Sequence, residues 1–358
     1  MTGRSRVPLL GKLISGRDSL SIAVKIDRSE ICAFLPACLQ RYESNEYKTD
    51  FDWIDQIRDI RDPTQRDQLN ENLLERLKNG DLDRVWMAPP IVVDWVDIQG
   101  FKYSKAKSSD LKNDLDIQDF LSSLNTVDLT IGVLKSRLIY AISSKADSEI
   151  DRWSAYNCLY AETVIGERVF ILNQGKWYEV AGDFSKLVIQ DYNAIPESQI
   201  PLPHYAHASE GEYNEYVPSV VGNACCMDRK LVSYGGAHST IEFCDVLTDT
   251  KQLVHIKRYG GSSHLSHLFN QGVVSGELFV SDGKFRKSVN EKLPAAYKWA
   301  NTDEAPDPRE WEIIFAIISK SNNALDIPFF SKVALRNAQR RLQSYGYKVR
   351  KKKIQIVP

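Results

Sequence analysis

Apolar and polar positions recur with two different periods along the first two hundred residues, which predicts a mixture of strands and helices. Residues 19–26 form a nearly continuous apolar run typical of a strand, and residues 29–39 repeat their apolar positions as a helix does. Residues 64–78 form a polar helix with leucines along one stripe. Residues 156–180 alternate around the turn Asn173-Gln174-Gly175, which predicts an antiparallel meander.

A short segment of different character separates this region from the rest of the chain. Residues 191–207 contain three prolines and show little periodicity. Such a segment is typical of a linker between domains. We therefore predict a mixed α/β domain over residues 1–200 and a second domain over residues 201–358.

The second domain begins with a predicted helix over residues 210–223. Three short segments rich in Val, Ile, Phe and Tyr follow between residues 228 and 259, separated by glycine pairs and by Thr248-Asp249, as expected for hairpin-linked strands. A helix then begins at Ser262 or Ser263, and the apolar run 311–319 suits a buried fourth strand. The predicted fold class is α+β, with the order helix, three strands, helix, strand in the second domain.

Polar residues lie at unexpected places in two of these strands. Glu242 and Asp245 occur in or at the end of the second strand, while His255 and Lys257 share one face of the third strand because side chains alternate with period two. A hairpin about residues 249–250 would bring Asp245 close to His255 and Lys257. Such a cluster can hold Mg²⁺ or Mn²⁺, while Lys257 orients an attacking water and offsets the charge that develops on phosphorus.

This arrangement resembles the PD-(D/E)XK superfamily of restriction-endonuclease-like nucleases. Asp245 matches the aspartate of the motif and Lys257 its lysine, whereas His255 stands where the superfamily has Asp, Glu or sometimes Gln. Imidazole is a poorer Mg²⁺ ligand than carboxylate and favours softer metals, so His255 is a departure from the motif.

The resemblance implies a restriction-endonuclease-like core and a metal-dependent nuclease that acts on DNA. Glu210, Glu212 or Glu215 would match the acidic residue that many members carry on the first helix. We expect Asp245, Glu242 and Glu212 to bind Mg²⁺ or Mn²⁺, with Asp245, Glu242, His255 and Lys257 forming the catalytic group.

A second resemblance covers nearly the whole chain. The segments EGEYN, IEFCDVL, HIKRYGGSSHLSHLFNQG, PFFSKVALRNAQRRL and WYEV are similar to a sporadically distributed bacterial protein family of unknown function. Members tend to carry additional N-terminal sequence, so we expect a short member. The patchy distribution implies a role in defence against phage or plasmid DNA.

The charge pattern gives one further candidate surface for nucleic acid. The net charge is −1, with 46 Lys and Arg against 47 Asp and Glu, so the whole chain has no basic character. Residues 331–353, however, contain nine Lys or Arg and no acidic residue. We predict that they bind phosphates, the alternative being a solvated basic face. The predicted nucleic-acid-binding residues are Arg258, Arg336, Arg340, Arg341, Arg350, Lys351, Lys352 and Lys353.

Composition narrows the class of protein. Apolar residues make up 43% of the chain and charged residues 26%, as in ordinary globular proteins. No apolar run approaches the roughly 18 residues of a spanning helix, so no membrane partner is expected, and no secretory signal is recognisable. The six cysteines form no CxxC pair. We therefore expect a cytoplasmic protein and leave a homo-oligomer open.

Other interpretations of the same residues remain open. His264 and His267 with the cysteines would suit zinc, although a structural zinc site normally has two closely spaced ligand pairs. Cys225 or Cys226 as a nucleophile lacks a recognisable base, and the glycines at 260–261 could contact a phosphate. A ribonuclease, or a non-catalytic module that binds nucleic acid or joins a complex, would also retain the core.

Overall fold

The computed structural model describes residues 2–4, 13–16, 20–48, 52–91, 98–106, 110–112, 114–124, 128–143, 148–233, 240–259 and 262–357. Their contacts divide the chain into two compact units, residues 1–56 and residues 57–358. Helices and several sheets occur along the chain, so the predicted α+β class is confirmed.

The described residues of the first unit include a small antiparallel sheet and a helix. The strands are β1 (Thr2–Arg4), β2 (Leu13–Gly16) and β3 (Leu20–Ala23), paired in that order. Helix α1 (Ile31–Glu43) follows a 3-10 turn at Arg28–Glu30. The strand and helix predicted over residues 19–39 are thus found, with shifted ends.

The N-terminal half of the second unit is built on two sheets around a shared core. The first sheet has the order β4-β11-β10-β9-β5, and the second has the order β6-β7-β8. The strands are β4 (Ile57–Asp59), β5 (Val85–Met87), β6 (Ile98–Lys102), β7 (Leu138–Ser143), β8 (Glu149–Ser154), β9 (Leu159–Ile165), β10 (Arg168–Asn173) and β11 (Lys176–Val180). The helices are α2 (Pro63–Lys78), α3 (Ile117–Ser123), α4 (Ile131–Ser136), α5 (Ala155–Cys158) and α6 (Gly182–Ala194).

Helix α2 illustrates how local signals fix these elements. Asp62 caps it by accepting hydrogen bonds from the N–H groups of Thr64 and Gln65, and the leucine stripe Leu69, Leu73 and Leu77 is buried in the core. The meander predicted over residues 156–180 is found as β9, β10 and β11, with antiparallel pairing between neighbours.

The C-terminal half holds a five-stranded mixed sheet with the order β12-β15-β16-β17-β18. Its strands are β12 (Ala224–Cys226), β15 (Val246–Thr248), β16 (Gln252–Arg258), β17 (Glu312–Ser319) and β18 (Lys348–Gln355), and β13 (Val232–Ser233) pairs separately with β14 (Thr240–Ile241). Strands β12, β15 and β16 are antiparallel neighbours, whereas β16, β17 and β18 are parallel.

Helices cover both faces of this sheet. One face packs on α7 (Glu210–Val221), and the other packs on α8 (Ser262–Ser281) and α10 (Phe329–Tyr345), with α9 (Gly283–Lys292) beside them. The close approach of α8 to the sheet depends on Gly272, where a Cβ atom would lie 2.6 Å from the ring of Phe315. Elements in the predicted order occur as α7, β12, β15, β16, α8 and β17, with β13 and β14 inserted after β12 and α9 inserted after α8.

One local prediction in this half was wrong. The first strand of the sheet is Ala224–Cys226 and not the segment after Asp228, because Val232 and Ser233 pair with β14 outside the sheet.

The proline-rich segment runs along the free edge of β18. Ser198 N–H donates to Lys351 C=O at 2.9 Å, and Tyr205 N–H donates to Gln355 C=O at 2.8 Å. These bonds cover an edge strand that would otherwise present unpaired backbone groups. The predicted domain boundary near residue 200 lies within the second unit and stays a prediction.

A separate finding concerns membranes. Among the residues that the structure describes, no helix is both long and apolar enough to cross a bilayer.

Candidate functional site

The candidate site forms where β15 and β16 diverge. Only Val246 and Leu247 of β15 pair with β16, and Asp245 N–H adds one more bond, to Val254 C=O at 3.0 Å. Beyond this point β15 does not pair with β16, and the N–H of Ile256 donates to Asp245 Oδ2 at 2.6 Å. The Asp245 carboxylate therefore replaces a strand as the hydrogen-bond acceptor.

Backbone hydrogen bonds bring two further carboxylates to Asp245. The N–H groups of Met227 and Asp228 donate to Asp245 C=O at 2.7 and 3.2 Å, and Arg229 N–H donates to Glu242 Oε1 at 3.1 Å. As a result, one carboxylate oxygen from each of Asp228, Glu242 and Asp245 lies within 4.8 Å of the others. We call these three residues the carboxylate cluster.

The carboxylate cluster concentrates negative charge in a poorly solvated place. Burial raises the pKa of Asp245 well above its usual range, and the charges of Glu242 and Asp228 raise it further. Burial and Asp228 also raise the pKa of Glu242. Arg229 Nε, 4.0 Å from Asp228 Oδ2, balances part of this charge. Three converging carboxylate oxygens are the donor set that hard divalent cations such as Mg²⁺ and Mn²⁺ prefer.

Lys257 lies at the same end of β16 and is held by helix α7. Its Nζ donates to Glu210 Oε2 at 2.8 Å, and Arg258 N–H donates to Glu210 Oε1 at 2.8 Å. Burial lowers the pKa of Lys257, but the neighbouring carboxylates, Glu210 first, raise it by more. The net shift is upward, so Lys257 stays protonated.

His255 does not join the carboxylate cluster. The residue is 2% exposed and its ring packs against Phe315, with ring centroids 5.9 Å apart, beneath Gly272 of α8. Its buried Nε2 has no hydrogen-bond partner, and burial lowers its pKa to about 4. The residue predicted to be catalytic is thus placed in the structure as a neutral side chain of the sheet core.

Glu212 is not a member of the carboxylate cluster. Its Oε2 accepts a hydrogen bond from Ala208 N–H at 3.1 Å, while Ser209 Oγ accepts from Glu212 N–H at 3.2 Å. This reciprocal pattern stabilises the start of α7. The glutamate that contacts Lys257 is Glu210, one of the three glutamates that the sequence offered for the acidic residue of this helix.

The basic C-terminal segment bonds mainly within the protein. Lys351 is 7% exposed and donates to Tyr192 C=O at 2.7 Å, and Arg336 is 5% exposed and pairs with Asp191. The remaining contacts are Arg340 with Asp191, Arg341 with Glu277, Arg350 with Glu312, Lys352 with Ser198 C=O, and Lys353 with Ser321 C=O and Asn323 C=O. The carboxylates and carbonyls that bind these cations are distant in sequence. The segment by itself therefore contains no acidic residue that would neutralise its positive charge.

The Arg258 side chain lies beside the candidate site and lines an open cleft. Its guanidinium lies 5.4 Å from the centroid of the Tyr205 ring, and its side chain lines a cleft beside Lys257. Of the predicted nucleic-acid-binding residues, it is the one that the structure places next to the candidate site.

Sequence reasoning missed Asp228. No periodic signal singles it out, because it reaches the carboxylate cluster only through the backbone bonds that join residues 227–228 to Asp245. Its one recognisable feature was a carboxylate at the end of a short apolar segment.

The cysteine and histidine alternatives gain no support here. Among the described residues, the group of three or more side chains that could hold a metal contains only carboxylates. Burial raises the pKa of Cys225 to about 11 and also raises that of Cys226, which disfavours the reactive thiolate. Residues 238 and 260–261 and the His264 side chain lie outside the described residues.

Comparison with known proteins places the whole chain in one family. A model described as a family of unknown function (DUF6119) matches residues 1–355. The chain belongs to this family. Comparison of this DUF6119 protein with curated proteins and with solved structures gave no match.

The internal bonds of β18 in this DUF6119 protein predict that Lys351 stabilises the fold. Replacing it by Met (Lys351→Met) removes its hydrogen bond to Tyr192 C=O, which then keeps only the N–H of Ile195 at 3.3 Å, and removes its contact with the Tyr192 ring. The free energy of unfolding should fall by about 1–3 kcal/mol. The exposed Lys348 on the same strand is the control, and Lys348→Met should change stability by less than about 0.5 kcal/mol. Urea denaturation measures both; equal stability of the two variants would contradict this role for Lys351.

The buried His255 predicts an acid-sensitive fold. An unfolded histidine titrates near pH 6.5, whereas His255 in the fold titrates near 4, so the unfolded state binds more protons between these values. Stability therefore falls as the pH falls below 6.5, by about 2 kcal/mol between pH 7.5 and pH 5. Urea denaturation at both pH values should show that His255→Leu lacks this part of the loss; an undiminished loss would contradict the placement of His255.

Proposed function

We propose that this DUF6119 protein is a metal-dependent nuclease that cleaves DNA phosphodiester bonds. The observation that carries the proposal is the convergence of Asp228, Glu242 and Asp245 at the strand divergence, with the protonated Lys257 at the end of β16 beside them. Carboxylates that gather oxygen donors, next to an ammonium group, suit phosphoryl transfer.

Each residue of the site would have a role that follows from its position. The carboxylate cluster would hold Mg²⁺ or Mn²⁺, which when bound supplies a Lewis acid and a water of lowered pKa. Lys257 would orient the attacking water and offset negative charge that develops on the phosphorus centre. Glu210 would position Lys257, because its carboxylate binds both Lys257 Nζ and the backbone N–H of Arg258.

Asp228 offers a reason why a histidine at position 255 need not abolish activity. Residue 255 is where the nuclease motif usually has a carboxylate, and here it is a buried neutral imidazole. Asp228 brings a third carboxylate to the same end of the sheet from β12. We infer that Asp228 replaces the missing ligand, and that Mg²⁺ is therefore as suitable as Mn²⁺.

The fold and the resemblance support the same proposal less directly. The order α7, β12, β15, β16, α8, β17, with β13, β14 and α9 inserted, is similar to that expected for a restriction-endonuclease-like core. Asp245 directly precedes β15, Lys257 lies on β16, and Asp228 follows β12. All six cysteines are unpaired in the described structure, which is consistent with action on foreign DNA in a reducing cytoplasm.

Two variants test the proposal without disturbing the fold. Asp245→Asn keeps an oxygen that accepts from Ile256 N–H but loses the charge, and Lys257→Met leaves Glu210 bonded to Arg258 N–H. Each should lower metal-dependent cleavage of plasmid and linear DNA by a factor of about a hundred or more. Glu212→Gln, a change at the start of α7 away from the carboxylate cluster, should retain activity.

The assay compares plasmid DNA, linear DNA and RNA in Mg²⁺, Mn²⁺ and Zn²⁺, with EDTA as the blank and urea denaturation to check each fold. Cleavage that survives both substitutions would overturn the site assignment. Absence of cleavage of every substrate would overturn the nuclease proposal in favour of a non-catalytic module, and cleavage of RNA alone would replace DNA by RNA as the substrate.

A further inference from the structure

Two cations interact with the carboxylate cluster, and the structure holds them in different ways. Lys257 interacts electrostatically with Asp245 and Glu242. Its side chain is 20% exposed and bonds to Glu210. Arg229 also interacts electrostatically with Glu242, but its side chain is 80% exposed. Lys257 already has a role in the proposed reaction, whereas Arg229 has none.

The backbone of Arg229 is fixed at the carboxylate cluster. Its N–H donates to Glu242 Oε1 at 3.1 Å. Its φ angle is +59°, in the left-handed region that residues other than glycine, asparagine and aspartate seldom adopt. Such conformations are costly, persist only where the surrounding structure imposes them, and are common at functional sites. The backbone thus starts the Arg229 side chain next to the carboxylate cluster.

The guanidinium group of Arg229 lies against the first turn of α7. A Cβ atom at Gly211 would lie 3.1 Å from Arg229 Nη2 and 3.5 Å from Asp228 Oδ2. Both side chains therefore pack on the bare backbone of this glycine, and a side chain at residue 211 would crowd the guanidinium. Gly211 leaves the space in which Arg229 lies beside Asp228.

The ion pair that joins Arg229 to Asp228 is weak. Arg229 Nε lies 4.0 Å from Asp228 Oδ2, and the arginine side chain is mostly exposed. Exposed ion pairs of this kind contribute little to stability. A divalent cation bound by Asp228 would compete with the guanidinium for the same carboxylate and would repel it, because both are positively charged. Binding of the cation would therefore release Arg229.

A released guanidinium group suits the phosphate of a nucleic acid. Arginine presents a planar fork of N–H donors that matches two phosphate oxygens at once, whereas lysine offers a point charge. The position of Arg229 brings this fork to the same cluster where the cation and Lys257 would act on a phosphate. Its exposure leaves it open to a chain that arrives from solvent.

We propose that Arg229 is a phosphate-binding residue of the site and that the bound cation controls it: the cation displaces Arg229 from Asp228, and the freed guanidinium binds the DNA phosphate. The inference rests on the proposed nuclease function and deepens it, because it makes cation binding a condition for tight binding of the substrate. Without the cation, Arg229 stays on Asp228 and offsets its charge.

Calorimetric titration with Mn²⁺ in the absence of DNA tests the competition for Asp228. Arg229→Gln removes the competing cation, so this variant should bind Mn²⁺ more tightly than the wild type by up to about fivefold, the range of an exposed ion pair. Arg61→Gln is the matched control, because Arg61 is 90% exposed and lies 3.9 Å from Asp59 in the N-terminal half. The control removes the same charge and should leave the Mn²⁺ affinity unchanged.

Fluorescence anisotropy with a labelled DNA duplex tests phosphate binding. The Lys257→Met variant, which should cleave slowly, allows binding to be measured with Mn²⁺ as well as in EDTA. Mn²⁺ should tighten DNA binding in this background, and the further substitution Arg229→Gln should reduce that gain by about tenfold, as expected for a hydrogen bond between charged groups. Arg229→Lys should keep part of the gain, since lysine retains the charge without the fork.

Urea denaturation of each variant checks that the fold is retained. An Arg229→Gln variant that matches Arg61→Gln in Mn²⁺ affinity, or a gain from Mn²⁺ that Arg229→Gln leaves intact, would overturn this role for Arg229. Metal-dependent cleavage by the wild type would in that case leave the nuclease function standing. Absence of cleavage in the metal assay would overturn the function, while the anisotropy measurement would still show whether Arg229 binds phosphate.

Discussion

The early divergence of β15 from β16 is the constraint on which the candidate site depends. A strand that loses its neighbour leaves backbone N–H groups to be satisfied, and here carboxylates satisfy them: Asp245 binds Ile256 N–H, and Glu210 binds Arg258 N–H. The same divergence leaves room for residues 227–229 to bond to Asp245 and Glu242. Backbone hydrogen bonding thus gathers the acidic side chains and sets Lys257 beside them.

That arrangement costs stability. Carboxylates brought together at low hydration raise each other's pKa, and although Lys257 and Arg229 offset part of their charge, the net pKa shifts of Glu242 and Asp245 are upward. Residues whose pKa is perturbed by burial together with specific neighbours concentrate at functional sites. The C-terminal sheet therefore accepts a local penalty at one edge, while the edge formed by β18 is covered by the linker and held through Lys351.

Much of the fold could be predicted from the sequence because its elements follow local patterns of apolar, polar and turn residues. The run 311–319, the helix after residue 262 and the hairpin that sets Asp245 near Lys257 all follow from periodicity and turn residues. Asp228 could not be found in this way, since its place depends on backbone pairing between distant segments. The internal partners of the basic strand could not be predicted for a related reason: its acceptors are carbonyls and carboxylates far away in sequence, in the proline-rich segment and on β17.

The proposed function depends on a divalent cation bound by the carboxylate cluster, and calorimetric titration with Mn²⁺ detects such binding. We expect saturable binding by the wild type and by Glu212→Gln, and its loss in Asp228→Asn, which removes a carboxylate that the nuclease motif does not itself contain. Absence of saturable binding to the wild type, or binding that Asp228→Asn leaves unchanged, would show that the carboxylate cluster is not the cation site.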